Sequence, residues 1–289
     1  MPLALLISSH VAASTVGGGA SAPVLNAAGI DSMLVPTVLY GRHPGWGAPG
    51  GGAVASGLVQ SMLDAIEAQG LYAGIDLVLT GYFADPAQVF AAAGAIDAVR
   101  EARRGEAGAN EPDRIQQGRA WIVVDPVLGD APDGLYVAPQ IALAIRDQLL
   151  PRADLVTPNA FELGHLTGRP LTDPGSMLRA ARALERPVLV TSLPRRGRIG
   201  VMYCDGDEAW MVTHERCPHA PKGTGDVLTA EFAAARLGGL APKPALERAV
   251  AATVSLVMRA NELGSRELPL VAEIAARRDP LVTLEAEAL

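Results

Sequence analysis

Leu3-Ala4-Leu5-Leu6-Ile7-Ser8-Ser9-His10 lies at the start of a stretch with no charged side chain before Asp31. Its reading decides between an exported or membrane-anchored chain and a buried first strand. An export signal needs a basic segment ahead of its apolar run, and none precedes Leu3. The five apolar residues at 3–7 fall far short of the roughly 20 that cross a bilayer. Polar residues end the run and Gly17-Gly18-Gly19 follows, so the pattern predicts a buried strand opening into a glycine-rich loop.

Similar runs recur downstream: MLVPTV at 33–38, DLVLT at 76–80, WIVVD at 121–125, DLVT at 154–157 and PVLVT at 187–191. They are continuous rather than alternating, as strands covered on both faces are. Between them lie stretches with helical spacing at 54–68, 86–102, 138–150 and 174–184, with Pro86, Pro139 and Pro174 near first turns and Asp85 and Asp173 placed as N-caps. RIGVMYC and EAWMVTH, flanking Asp205-Gly206-Asp207, predict an antiparallel hairpin. Helices alone are expected after it, over 223–237, 243–262 and 268–277. The fold class is α/β: a mostly parallel central sheet flanked by helices, with a small antiparallel hairpin, in a single domain over 1–289. Residues 101–119 carry eight charged side chains in nineteen positions and read as a mobile surface insertion.

Composition narrows the function classes. Two distant cysteines, Cys204 and Cys217, fit a reduced cytoplasmic protein rather than a disulfide scaffold. Apolar residues make up 49% of the chain, which is incompatible with disorder. A net charge of -7 argues against nucleic-acid or anionic-membrane partners.

In a parallel sheet, ligands sit beyond the carboxyl ends of the strands. The predicted strands end in Ser8-Ser9-His10, Thr80-Gly81-Tyr82, Asp125-Pro126, Thr157-Pro158-Asn159 and Thr191-Ser192. Any one of these could be a turn or a cap, but together they indicate a polar ligand site. The sharpest signal is Lys222-Gly223-Thr224-Gly225-Asp226 ahead of the helical run VLTAEFAAARL. Small residues at a helix start expose backbone N–H groups at the positive end of the dipole, which suits an anion. A carboxylate beside bound phosphate repels it, so Asp226 makes chemical sense as the group that accepts a proton from an attacking hydroxyl. The plainer alternative is a first-turn carboxylate favoured by the dipole.

Other chemistries lack their patterns. The sequence has no GxxxxGK[ST], GxSxG, HxxxH, HExxH or CxxC. A GxGxxG at Gly45, Gly47 and Gly50 is broken by Pro49, preceded by Pro44, and reads as a flap. Cys217 and His219 stay open between substrate or redox contacts and ordinary loop residues.

Taken in order, SHV at 9–11, TGY at 80–82, DPVLGD at 125–130, TPNAFE at 157–162, VTS at 190–192 and GTGD at 223–226 resemble the pyridoxal kinases of the ribokinase-like superfamily. The resemblance implies ATP-dependent phosphorylation of the 5′-hydroxymethyl group of pyridoxal, with pyridoxine and pyridoxamine as further acceptors. It implies Asp226 as catalytic base and Gly223, Thr224 and Gly225 as the anion hole. Substrate contacts would come from Ser9, His10, His43, Tyr82 and Asp226. ATP would meet Asp125, Tyr136, Asn159, Thr191, Ser192 and Thr224, and Mg2+ would meet Asp125, Asp130, Thr157 and Glu162. The need for a monovalent cation stays open. A cytoplasmic homodimer is expected. The chain departs from the family at 40–47, where YGRHPGWG replaces FSNHTGY, and at 17–21, where GGGAS replaces a Gly-Asn pair. Another hydroxymethyl heteroaromatic such as hydroxymethylpyrimidine, or a weakly active vitamin B6-binding module, remains an alternative.

Overall fold

The computed structural model describes residues 1–103, 119–195 and 197–289, so most of the segment expected to be an insertion, residues 104–118, lies outside the described residues. The chain divides into two compact units, Met1–Pro126 with Val137–Asp154, and Val127–Tyr136 with Leu155–Leu289.

The first unit contains β1 (Leu3–Val11), α1 (Gly18–Ala27), β2 (Asp31–Tyr40), β3 (Gly51–Ala53), α2 (Ser56–Ala68), β4 (Leu77–Thr80), α3 (Pro86–Ala102), β5 (Trp121–Val124) and α4 (Pro139–Ala144). Its strand order is β5-β4-β1-β2-β3, parallel except for β3, which runs antiparallel to β2. Leu5, Leu6, Ile7, Leu77, Val78, Ile122 and Val123 are fully buried, which is why these strands read as unbroken apolar runs. Two carboxylates fasten the strand starts. Asp76 accepts the Leu3 N–H and pairs with Arg103, and Asp154 accepts the Ile122 N–H and pairs with Arg100.

The expected glycine-rich loop is instead the start of a helix. Gly17 takes a left-handed φ of +55°, and α1 begins at the next residue. A Cβ on Gly18 would lie 2.4 Å from Leu34 Cδ1, so close packing of α1 on β2 requires the glycine. Glycine marks close approach here, although its helix propensity predicts a break.

The second unit contains β6 (Gly129–Asp130), β7 (Gly134–Leu135), β8 (Leu155–Val156), α5 (Ala160–Thr167), α6 (Pro174–Arg182), β9 (Val188–Arg195), β10 (Arg198–Asp205), β11 (Glu208–Glu215), α7 (Thr224–Leu237), α8 (Pro242–Glu262), α9 (Ile274–Arg278) and β12 (Ala286–Ala288). β8 and β9 are parallel, and β9 to β12 follow as antiparallel neighbours. The predicted hairpin is β10–β11. Its inner face packs with α5 and α6 around Leu163, Met177, Ala180, Val190, Met202 and Met211.

Two expectations for the C-terminal part fail. The segment after the hairpin is not helical throughout, because β12 pairs with β11 and Glu247 accepts the Ala286 N–H. A three-residue Ala-Glu-Ala strand carries no β-propensity, so its pairing is decided by distant partners. The helix predicted over 268–277 shortens to α9, because residues 265–269 are irregular and 270–273 form a turn, with the Glu273 N–H donated to the Pro269 carbonyl. Asp85 and Asp173 do cap α3 and α6, accepting from Ala87 and Ser176 N–H at 2.7 and 2.9 Å. Among the described residues no helix is long and apolar enough to cross a membrane.

Candidate active site

In the first unit, the parallel pairing of β1, β4 and β5 brings their carboxyl ends side by side. The Gly81 N–H donates to the Ile7 carbonyl and the Asp125 N–H to the Thr80 carbonyl, both at 3.0 Å. Ser9, Gly81, Tyr82 and Asp125 therefore emerge on one edge. Ser9 and Asp125 are buried there, whereas His10 is exposed. Two glycines make room for the serines. A Cβ on Gly17 would sit 2.1 Å from Ser9 Oγ, and one on Gly81 would sit 2.4 Å from Ser8 Oγ. Tyr82 is half-buried, and burial first, then the neighbouring Tyr40, raises its phenol so that it stays a protonated donor. His43 turns back on its own loop, its Nδ1 accepting the Gly45 N–H at 3.0 Å to cap a short 3-10 turn at 44–46.

In the second unit, Gly223 takes a left-handed φ of +90° and α7 starts at Thr224. Thr224, Gly225 and Asp226 form the first turn, the part of a helix whose N–H groups and dipole attract anions. Asp226 is half-buried in that turn. One turn further, the Thr229 hydroxyl donates to Thr157 Oγ1 at 3.1 Å, fixing α7 against the residue that follows β8.

Glu162 and Asn159 form a capping box at the start of α5. Glu162 does more than cap. Its Oε1 accepts N–H from Leu128 at 2.8 Å and Gly129 at 3.3 Å, while its Oε2 accepts the Asn159 N–H at 2.8 Å. Asn159 Nδ2 donates to the Gly129 carbonyl at 2.8 Å, and Thr191 pairs with Asn159 through a parallel bridge. Asn159, Glu162 and Thr191 are thus connected with the 128–129 turn, and Asp130 and Thr157 adjoin them in the chain. Ser192, next to Thr191, is exposed and holds φ +58°, a conformation that costs a non-glycine residue energy. Tyr136 is about half exposed, its phenol pushed up to about 12 by burial and by Asp130, Asp133 and Glu162.

Burial raises the Glu162 carboxyl to about 8 against the pull of three backbone N–H groups, and Asp130 adds to the rise. Two carboxylates that repel each other in a site of oxygen donors are a place where a hard divalent cation relieves the electrostatic cost. Among the described residues, however, no group of three or more His, Cys, Asp or Glu side chains is placed to hold a metal ion. Burial also pushes the Cys204 and Cys217 thiols up, away from the activated thiolate of a nucleophile.

Three polar residues went unnoticed in the sequence. Thr37, Gln88 and Thr229 are all buried in the interior. The only available signal was a lone glutamine inside the alanine-rich helix at 86–102 and a threonine one turn after Asp226, and neither is distinctive without the fold.

Residues 110–271 match the family model for phosphomethylpyrimidine kinase. Over 274 residues, 91% of each chain, the protein is 35% identical to the pyridoxine/pyridoxal/pyridoxamine kinase of Bordetella pertussis (strain Tohama I). It is 34% identical over 275 residues, 92% of each chain, to a pyridoxal kinase of Leifsonia xyli subsp. xyli. Among solved structures it is similar to the pyridoxal kinase of Leishmania donovani in complex with ADP and pyridoxine, with a TM-score of 0.89, 24% identity and 99% of each chain covered. It is also similar to that of Entamoeba histolytica, with a TM-score of 0.88, 22% identity and full coverage of both chains. The structural likeness shows the class of fold, an α/β architecture of the ribokinase-like type. Within that class, sequence identity along nine-tenths of its length places the chain in the pyridoxal kinase family.

Proposed function

We propose that the chain transfers the γ-phosphoryl group of ATP to the 5′-hydroxymethyl group of pyridoxal, and also of pyridoxine and pyridoxamine, giving the 5′-phosphates. The observation that carries this is a glycine-capped helix start with a first-turn carboxylate, in a chain 35% identical to a pyridoxine/pyridoxal/pyridoxamine kinase over 91% of its length.

Asp226 accepts the proton of the substrate hydroxyl as its oxygen attacks the γ-phosphorus, and the bond to the bridging oxygen of ADP breaks. The backbone N–H groups of Gly223, Thr224 and Gly225 stabilise charge on the transferring group. Ser9, His10, His43 and Tyr82 hold the ring, with the Tyr82 phenol kept as a hydrogen-bond donor. Asp125, Tyr136, Asn159, Thr191, Ser192 and Thr224 receive the nucleotide. Asp125, Asp130, Thr157 and Glu162 are the residues that would hold Mg2+, which would neutralise phosphate charge. Because Glu162 already accepts three N–H groups, its contribution is to shape the 128–130 turn as much as to attract the ion. The protein works as a cytoplasmic homodimer in this reading.

A second substrate reading rests on the phosphomethylpyrimidine kinase description of the matching family model. The test is an ADP-release assay with ATP, Mg2+ and a panel of pyridoxal, pyridoxine, pyridoxamine and hydroxymethylpyrimidine. Turnover of the B6 alcohols supports the first reading. Turnover of hydroxymethylpyrimidine alone replaces it, and tight pyridoxal binding without ADP release marks a binding module.

A further inference from the structure

We infer that Gln88, together with Thr37, is a positioning device that sets the ring-side segment 82–84 and the base of the 40–53 segment in one fixed relation. This rests on the kinase reading above, in which Tyr82 and His43 face the B6 ring.

The register between β1 and β2 shifts by one residue between the pairs Ser8–Pro36 and His10–Leu39, so β2 carries an extra residue at Thr37-Val38. Pro36 has no N–H to lose, which makes this an inexpensive place for a bulge, and a bulge re-aims the groups beside it. Three donors and acceptors are then used around Thr37. Its Oγ1 donates to the Tyr82 carbonyl at 2.6 Å. Its carbonyl accepts the Val54 N–H at 2.9 Å and Gln88 Nε2 at 2.9 Å.

Gln88 completes the arrangement. Its side chain reaches from α3 into the interior, where the residue is fully buried. The same Nε2 donates to the Val54 carbonyl at 2.7 Å, and Oε1 accepts the Ala84 N–H at 3.0 Å. Two carbonyls on one end and an N–H on the other admit only one orientation of the amide, and they exclude both a carboxylate and an apolar side chain of that length. The chain segments so joined are the turn after β4 that carries Tyr82, the bulge of β2 that leads to residues 40–47, and the residue that follows β3. A buried amide with all its hydrogen bonds made specifies geometry more than it adds stability.

Replacing Gln88 by Met keeps length and removes every one of these bonds. Replacing Thr37 by Val keeps shape and removes the hydroxyl that holds the Tyr82 carbonyl. Steady-state kinetics on the full chain with ATP, Mg2+ and pyridoxal should show the pyridoxal KM of Gln88→Met raised by about tenfold or more, with the ATP KM within about twofold, since the lost bonds all serve the alcohol side. Thr37→Val should show the same selectivity at about threefold to tenfold, and keeps the test alive if Gln88→Met fails to fold. Hydrogen exchange should quicken over residues 37–54 and 82–88 in both variants and stay unchanged over 223–237. Equal changes in both KM values, no change in either, or a lowered Tm with wild-type kinetics overturns the positioning role. A wild-type protein inactive with every B6 alcohol sinks the kinase reading itself, which separates the two failures.

Discussion

The hydroxyl of Thr229 donates to the hydroxyl of Thr157 at 3.1 Å, and both residues are buried. The bond joins the second turn of α7 to the strand end that begins Thr157-Pro158-Asn159, so the helix that carries Asp226 and the loop that follows β8 are held by one oxygen pair. A hydroxyl that accepts from Thr229 also has its own proton directed elsewhere. Thr229→Val, which preserves shape, should cost about 1 kcal/mol of stability and about tenfold in kcat/KM for ATP, while the pyridoxal KM changes little. Urea unfolding and steady-state kinetics check the two halves.

Asp226 is where the proposed chemistry concentrates. Asp226→Asn keeps the side-chain shape and removes the basic oxygen. Turnover should fall by about 10²–10⁴-fold with ATP binding retained and an unchanged circular dichroism spectrum. Activity within about threefold of wild type would remove Asp226 from the role of base.

Much of the fold was legible in the sequence, for physical reasons that particular elements make plain. Strands covered on both faces leave unbroken Val, Leu and Ile runs, so β1, β4, β5 and β9 were found, and β2 was found by the same pattern although it is only partly covered. Proline and aspartate at helix starts located α3 and α6. What escaped was decided by contacts distant in sequence. Gly17-Gly18-Gly19 reads as a loop until Ser9 is seen to occupy the place of a Gly17 Cβ and Leu34 that of a Gly18 Cβ, and β12 has no local pattern at all. Within the site, residues at strand ends were visible because polar groups interrupt apolar runs. Gln88 and Thr37 were not, because a buried polar residue declares itself only through its partners.

Gly17 offers a direct check on the substrate edge. With φ at +55° and Ser9 Oγ 2.1 Å from the position of a Cβ, Gly17→Ala should destabilise by about 1–3 kcal/mol and weaken pyridoxal binding. Thermal unfolding, followed by kinetics well below the lowered Tm, measures both.

A buried ion pair sits on the same helix as the proposed base. Arg277 Nε donates to Glu231 Oε1 at 2.6 Å, and the two side chains are 5% and 7% exposed. Removing one partner leaves an uncompensated interior charge, so Arg277→Met should cost about 3–5 kcal/mol, and adding Glu231→Leu should recover most of it. Chemical denaturation of the single and double variants tests this. A double variant no more stable than the single would show that packing, not charge, dominates there.

Acid should weaken the second unit through His214. Burial lowers its pKa below 6.5, opposed by its bond to the Glu215 carbonyl and aided by Arg198. A group whose folded pKa is depressed contributes stability that is present above the unfolded pKa and lost as pH falls through the folded one. Tm should therefore drop as pH goes below about 6.5, and His214→Gln should flatten that part of the curve. An identical pH profile in the variant would assign the acid sensitivity to other groups.

Nine consecutive residues of α7, Val227 to Ala235, are buried. A helix embedded on every side along its middle turns cannot swing or slide without emptying the interior around it, so the end proposed to receive phosphate is a stationary anvil. Accommodation of reactants of different bulk, and the escape of product, must then fall to loosely covered parts of the chain. In the first unit the exposed run 44–48, with its three glycines and two prolines in the surrounding 44–50 stretch, is the clearest such part. Catalytic speed and vitamer choice would accordingly be separable traits in this protein: alterations at 44–50 could retune which alcohol is accepted while the rate of phosphoryl transfer stays set elsewhere.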